Sequence, residues 1–264
     1  MIEFEKWMEV KEMNQKVVFL MRSIPGCGKT FTAHELLRQH GGTPEGHIFS
    51  TDSKFHPVTN KLRALGHITT ESLSFENAWQ LCEEIKKVWF DARWSKIKAD
   101  AEDAFMIFKS LADKNKYYEA LSAAQQMVDV FETVEYRMNW HGSKLKKAHS
   151  DNLAEFKAAV DRGVTPLIVD NTITQAREGF AYARYANDAG YEIRVQEPTS
   201  PWWTQHRDLL ADKQNPQNRE KLDAFAQFLA NKNTHGVPLD SIKKMMERWQ
   251  HNLKPKDFLD AAEK

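Results

Sequence analysis

Three things are scarce in this sequence. Cysteine occurs twice in 264 residues, at Cys27 and Cys82. Thiols so far apart in the chain suggest neither a disulfide framework nor a metal-ligand set, and a reducing compartment, the cytoplasm, fits best. Excess charge of one sign is missing: 37 Lys and Arg balance 37 Asp and Glu, which argues against broad coating of nucleic acid and leaves only local patches. Long apolar runs are also lacking. None approaches the ~20 residues of a membrane span, so no membrane association is expected. Residues 1–15 mix acids and lysines, without the basic head and apolar core of a signal peptide. Their Ile2, Phe4, Trp7, Met8 and Val10 suit a short amphipathic helix packed on the domain or a partner.

What is present is concentrated between Lys16 and Thr30. The apolar, β-branched run Val17-Val18-Phe19-Leu20-Met21 stops at Arg22-Ser23-Ile24-Pro25-Gly26-Cys27-Gly28-Lys29-Thr30, and a helix-forming stretch, Phe31 to Gln39, follows. Strand, small-residue loop and helix in this order form a phosphate-binding loop. Small residues let backbone N–H groups turn inward at a helix N-terminus, where the dipole favours anions. Pro25, Gly26, Cys27, Gly28, Lys29 and Thr30 are therefore the expected nucleotide-binding residues. Lys29 reaches the β- and γ-phosphates and the Thr30 hydroxyl ligates Mg²⁺. In the pattern G-x-x-x-x-G-K-[ST] the first glycine falls at Ser23, a residue that must avoid the positive φ values glycine visits freely. Cys27 reads as a small filler rather than a redox switch.

Further along, Gly41-Gly42 ends the first helix. His47-Ile48-Phe49-Ser50 reads as a short buried strand delivering Thr51 and Asp52 at its carboxyl end, the rim on which ligands bind in open α/β sheets. From residue 57 to residue 132 the pattern turns helical. Phe75, Trp79, Cys82, Ile85 and Trp89 form one stripe, Phe105, Phe108 and Leu111 a second, and Tyr117, Leu121, Ala124, Met127, Val128 and Phe131 a third. Trp79, Trp89 and Trp94 could be stacking platforms for bases or core residues of a small bundle. Ten basic against twelve acidic residues in this stretch favour the core.

Lys144, Lys146 and Lys147 open a helix to about Asp161, and Leu167-Ile168-Val169 is an apolar run typical of a strand buried on both faces, delivering Asp170-Asn171-Thr172. A strand ending in Asp suits a metal-organising carboxylate first, and a cap for a helix beginning near Thr174 second; the two roles can coexist. Tyr191 to Gln196 alternates like a strand. Pro201-Trp202-Trp203 follows, suited to a nucleotide pocket or to anchoring the next helix. Residues 204–229 read as charged helix interrupted at Asn215-Pro216-Gln217-Asn218. They hold Arg207, Arg219 and Lys221, which suit a cationic lid or a solvated face. Leu239 to Asn252 is the last long helix expected.

Together these segments resemble the polynucleotide-kinase-like branch of P-loop kinases, which includes 5′-hydroxyl polynucleotide kinases and AAA-type ATP-binding relatives. The carrying residues are Ile24 to Thr30, Ile48 to Asp52, Ala148-His149, Leu167 to Thr172, Tyr191 to Val195 with Glu197-Pro198, Pro201-Trp202-Trp203, and Asn233-Thr234-His235-Gly236-Val237-Pro238. The resemblance covers about residues 16–55 and 135–250, with Glu135 to Trp140 similar to the family's Tyr-x-Phe-like element. It implies a three-layer α/β P-loop kinase fold with a parallel sheet. The core would comprise residues 1–56 and 133–264, interrupted by an all-helical insertion at 57–132. It also implies ATP and Mg²⁺ as cofactors, Asp52 as the general base, Thr30 and Asp170 at the metal, and Lys232, Arg207 or Arg219 as charges on a lid. The acceptor implied is the 5′-hydroxyl end of a nucleic acid. Ser23, Ser53 and Lys232 depart from the family pattern, and Lys232 supplies charge without the bidentate fork of Arg. Two other readings stand beside this one: a small-molecule kinase of the zeta-toxin or shikimate-kinase sort, and a catalytically decayed nucleotide-binding module whose insertion recruits a protein partner.

Overall fold

The structure, a computed structural model, describes residues 15–44, 46–57, 59–60, 106, 110, 128, 132, 135–137, 139–233 and 235–261. The amphipathic stretch expected near the N-terminus, and the stripes carrying Trp79, Trp89 and Trp94, lie outside the described residues. The chain divides into two compact units, Met1–Thr51 with Lys146–Lys264, and Asp52–Leu145.

The first unit is α/β. Strands β1 (Val17–Met21), β2 (Ile48–Phe49), β3 (Leu167–Val169) and β4 (Glu192–Gln196) form one parallel sheet in the order β2-β3-β1-β4. Strands buried on both faces read as continuous apolar runs, as β1 and β3 do. Alternation still sorts their side chains. Val18, Leu20, Leu167 and Val169 enter one core with Phe156, Tyr182, Ala183 and Phe258, from the helices Gly142–Asp161, Ala176–Asp188 and Pro255–Asp260. Val17, Phe19, Met21 and Ile168 enter the other with Ala33 and Leu37, from the helix Lys29–His40. Each fully buried aliphatic or aromatic side chain contributes roughly 1.5–3 kcal/mol of hydrophobic stabilisation.

Strand order and handedness explain this division. The chain leaves β1 for β2 in one direction across the sheet and leaves β3 for β4 in the other. Right-handed crossovers then put their helices on opposite faces, as observed. Neighbouring strands β1 and β3 thus send their carboxyl-end loops apart, which opens a crevice at a topological switch point.

A third apolar cluster covers the start of that crevice. Trp203, Leu210, Leu222, Phe225, Leu229, Ile242, Met246 and Trp249 pack with Ile24 and Cys27 of the loop after β1. They come largely from helices Pro201–His206, Pro216–Lys232 and Leu239–Glu247. The break expected at residues 215–218 falls at 213–215, between the 3-10 turn Arg207–Asp212 and a helix that starts at Pro216. Asn215 caps the Gln217 N–H and Pro216, its φ already helical, takes the first position. The last long helix ends at Glu247, short of Asn252. Beyond it Trp249 packs edge-on against Trp203, and the Gln250 N–H is bonded to the Thr174 carbonyl.

In the second unit, a 3-10 turn at Asp52–Phe55 carries the buried Phe55, whose ring meets Tyr136 edge-on at 5.5 Å. The buried Glu135 carboxylate accepts from the Thr59 N–H at 3.1 Å and hydroxyl at 2.7 Å. Asn139 donates to the Phe55 carbonyl at 3.2 Å.

Candidate functional site

The loop leaving β1 is built from both ends. Arg22 adds one more rung to the sheet, its N–H bonded to the Gln196 carbonyl at 2.7 Å, and a turn then closes with the Cys27 N–H on the Ile24 carbonyl at 3.2 Å. Ile24 and Cys27 are buried in the third cluster, so two apolar anchors hold a loop that is otherwise small-residue backbone. Burial pushes the Cys27 thiol well above its ordinary value, leaving a packing residue and no thiolate.

Gly26 and Gly28 take φ of 84° and 83°. A Cβ on Gly26 would stand 2.9 Å from the Leu229 carbonyl oxygen, and one on Gly28 3.4 Å from Ser200 and 3.6 Å from the Trp202 ring. Ser23 needs no glycine. Among the described non-glycine residues a positive φ occurs at Asn252, so Ser23 keeps an ordinary backbone; its side chain is fully buried.

Outward bonds then aim the loop. The Ser200 hydroxyl donates to the Cys27 carbonyl at 2.8 Å and the Trp202 indole N–H donates to the Gly26 carbonyl at 3.1 Å. Because C=O and N–H of a trans peptide point oppositely, tying the Cys27 carbonyl to this wall turns the Gly28 N–H away from it. The helix beginning at Lys29 has no side-chain cap, and the N–H groups of its first turn have no intrahelical acceptor. Aligned donors, a helix dipole and a lysine at one point suit an anion.

Asp170 meets them at the end of β3. Its N–H is fixed to the Phe49 carbonyl at 2.8 Å. The Lys29 ammonium donates to Asp170 Oδ1 at 2.5 Å and to its carbonyl at 2.7 Å, and the Thr30 hydroxyl donates to Oδ2 at 2.8 Å. The pair is secluded, with side-chain exposures of 10% for Lys29 and 3% for Asp170. The alternative role for Asp170 as a helix cap does not occur. Helix Ala176–Asp188 is capped by Glu178, whose carboxylate reaches back to the Thr174 N–H and hydroxyl and the Gln175 N–H.

Other expected residues are placed as follows. Asp52 opens the 3-10 turn of the second unit, where the Tyr136 hydroxyl donates to Oδ1 at 3.3 Å. Burial, and then the charge of Asp52, push the Tyr136 phenol above its ordinary value. Lys232 ends its helix with its ammonium over the Trp202 ring at 4.4 Å. Arg207 is paired with Glu197 at 3.6 Å and Asp208 at 3.3 Å. Arg219 is exposed on the first turns of helix Pro216–Lys232. Of the two tryptophans, Trp203 is the fully buried anchor and Trp202 faces the loop.

Sequence reasoning missed the supports. Arg22, fully buried, holds Glu197 at 3.4 Å, donates to the Gln250 carbonyl and lies 4.2 Å from the Trp249 ring centre. Burial lowers its pKa to about 10, against the raising effect of Glu197. Asn171 accepts from the Thr51 N–H at 2.8 Å and donates to the Tyr182 hydroxyl at 3.2 Å, tying the ends of β2 and β3 to helix Ala176–Asp188. A lone arginine ending an apolar run was the one available hint to the first support.

Among the described residues there is no group of three or more His, Cys, Asp or Glu side chains able to hold a metal. The Thr30 hydroxyl and Asp170 carboxylate nevertheless make an adjacent pair of hard oxygens, the donor chemistry Mg²⁺ takes alongside phosphate and water. Among the described residues no helix is long and apolar enough to cross a membrane.

No family model matches the chain. A stretch of 106 residues, 40% of this chain, is 30% identical to part of NEDD4-binding protein 2 of Homo sapiens, and the match spans 5% of that protein's length.

Proposed function

We propose that the protein is a P-loop kinase that transfers the γ-phosphoryl group of ATP, with Mg²⁺, to a hydroxyl acceptor. One observation carries this reading: Lys29 and Thr30, on an uncapped helix start behind two left-handed glycines, converge on one buried carboxylate at the β1/β3 switch point.

In this reading the N–H groups of residues 28–31 and the Lys29 ammonium hold the β- and γ-phosphates, where charge spreads over oxygens in the transition state. Thr30 and Asp170 would hold the magnesium ion, which when bound neutralises charge on the same oxygens. Asp52, the residue after Thr51 in the chain, would accept the proton of the attacking hydroxyl. The exit of β2 leading to it is fixed by the Asn171 bond to Thr51. Lys232, four residues from Phe228 on one helix, would bring charge to the transferring group on leaving the Trp202 face.

The acceptor favoured is the 5′-hydroxyl end of a nucleic acid, which rests on the resemblance of the motifs. Cytoplasmic placement rests on cysteine usage. Incubation with γ-labelled ATP, Mg²⁺ and 5′-hydroxyl oligonucleotides is the test. Label on the 5′ end, lost in Asp52→Asn while ATP still binds, supports the reading. Transfer to small hydroxyl metabolites alone would move the acceptor to the small-molecule class. ATP binding with no transfer to any acceptor would point to a nucleotide-binding module with a protein partner.

A further inference from the structure

Within the second unit, the Tyr136 hydroxyl donates to Asp52 Oδ1 at 3.3 Å, and the direction is fixed because an ionised carboxylate only accepts. Tyr136 is itself held in place. It is 7% exposed, its ring meets Phe55 edge-on at 5.5 Å, and the His56 ring lies 5.7 Å away. Residues on either side of it fasten the same segment to the chain that follows Asp52. The Glu135 carboxylate accepts from the Thr59 N–H and hydroxyl, and the Asn139 amide donates to the Phe55 carbonyl.

We infer that Tyr136 is a positioning residue, holding the Asp52 carboxylate in the orientation from which it takes the proton of the attacking hydroxyl. The inference rests on the reading of Asp52 as the general base and deepens it.

A general base works only when its oxygen and the proton it takes are aligned at contact distance. Asp52 opens a 3-10 turn of four residues, and so short an element does not by itself fix the two side-chain torsions of an aspartate. A bond from a packed phenol does. The phenol also suits the task chemically. Burial, and then the charge of Asp52, push it above its ordinary pKa, so at neutral pH it remains a donor and does not compete for the substrate proton. One hydrogen bond takes one of the roughly four acceptor sites of a carboxylate, so Asp52 is held and still accepts. In the step itself the acceptor oxygen bonds to the γ-phosphorus while its proton passes to Asp52, and the bond from the γ-phosphorus to the β,γ-bridging oxygen breaks, releasing ADP. Because the tyrosine bonds best to the charged carboxylate, it does not strengthen the base. Its contribution is orientation. At 3.3 Å the bond is long for O–H···O, as catalytic hydrogen bonds often are before substrate closes on them.

The test measures kcat and KM for ATP in full-chain wild type, Tyr136→Phe, Asp52→Asn and the double variant. Each is checked by melting profile and assayed with γ-labelled ATP, Mg²⁺ and a 5′-hydroxyl oligonucleotide. Tyr136→Phe keeps the ring against Phe55 and removes only the donor. It should lower kcat about 10-fold or more, the worth of a hydrogen bond to a charged group, and leave KM for ATP unchanged. Asp52→Asn should lose about 10²–10⁴-fold. Adding Tyr136→Phe to it should cost nothing further, because the base to be oriented is gone. A tyrosine that only supports the fold would lower kcat by the same factor in both backgrounds, or raise KM with kcat unchanged. Either result, or a Tyr136→Phe variant with wild-type kcat, overturns the inference and leaves Asp52 as the base. If Tyr136→Phe does not fold, Asn139→Ala, which releases the segment from the Phe55 carbonyl, decides by the same pattern: a kcat loss confined to the Asp52 background supports the inference and an unchanged kcat overturns it. Transfer that survives Asp52→Asn overturns the base reading and the inference with it. No transfer by wild type, to the oligonucleotide or to small hydroxyl compounds offered in its place, overturns the kinase reading and the inference likewise.

Discussion

The indole N–H of Trp202 donates to the carbonyl of Gly26 across 176 residues of chain, at 3.1 Å. This bond, with Ser200 on the next carbonyl, fixes which way the peptide groups of the loop face, and so where their N–H groups can act. Gly26 is the more constrained partner. Gly26→Ala meets a left-handed backbone costing about 1–2 kcal/mol and a Cβ 2.9 Å from the Leu229 carbonyl oxygen. Chemical denaturation should show at least that loss, and ATP affinity should fall with it. Trp202→Phe keeps a ring but removes the donor, and should cost about 0.5–1.5 kcal/mol.

Arg22 and Glu197 offer a test of buried charge. Arg22→Met removes the bond to Gln250 and leaves Glu197, one-fifth exposed, with Arg207 and the Trp203 N–H as its remaining partners. A loss of about 1–3 kcal/mol is expected, short of the penalty for leaving a buried charge with no partner. Glu197→Gln should cost less, because Glu197 is one-fifth exposed and keeps a side-chain oxygen for the Trp203 N–H. The double variant should be more stable than the sum of single losses predicts. Simple additivity, measured by urea denaturation of all four proteins, would refute the coupling.

Cys27 should be chemically silent. It is fully buried with its thiol pushed up by desolvation, so in a Cys82→Ser background disulfide reagents should label it only as fast as the protein opens. Rapid labelling of the folded protein would restore the redox reading.

Buried phenols, Tyr136 and Tyr182 among them, should contribute to the alkaline limit. Burial raises the pKa of Tyr182 despite hydrogen bonds from Asn152 and Asn171, and burial with the charge of Asp52 raises that of Tyr136. In each case the folded-state pKa exceeds the unfolded value of about 10. Their stabilising contribution is therefore complete below pH 10 and is lost as pH rises through the folded-state values. Absorbance titration near 295 nm should show Tyr136 and Tyr182 among the tyrosines that resist ionisation until the far-ultraviolet signal collapses. Removing the Tyr182 ionisation with Tyr182→Phe should lessen the stability loss in that window.

Much of the first unit was legible because its signals are local. An apolar strand, two glycines and a lysine–threonine pair opening a helix announce the loop within fifteen residues, and Leu167-Ile168-Val169-Asp170 announces the opposing carboxylate. Left-to-right reading failed where a residue's role is set from a distance. Nothing near Arg22 foretells Glu197 or the Gln250 carbonyl. Trp202 and Trp203 are adjacent in sequence, yet one faces the loop and the other fills the core, a choice made by helix rotation about Ser200. The interruption expected around Asn215-Pro216 is present, since residues 213–215 separate the 3-10 turn Arg207–Asp212 from the helix that Pro216 opens, where proline costs no hydrogen bond. Ser23 seemed a defect by pattern alone, but the backbone there never enters the region that requires glycine.

The central claim is that the loop after β1 binds nucleotide phosphates through Lys29. Titration calorimetry of ATP with Mg²⁺ against wild type and Lys29→Ala, both verified as folded by melting profile, tests it most directly. The account predicts one site per chain in wild type and at least a tenfold loss of affinity in the variant, about 1.4 kcal/mol or more. Equal binding by the two proteins, or none by wild type, would contradict it.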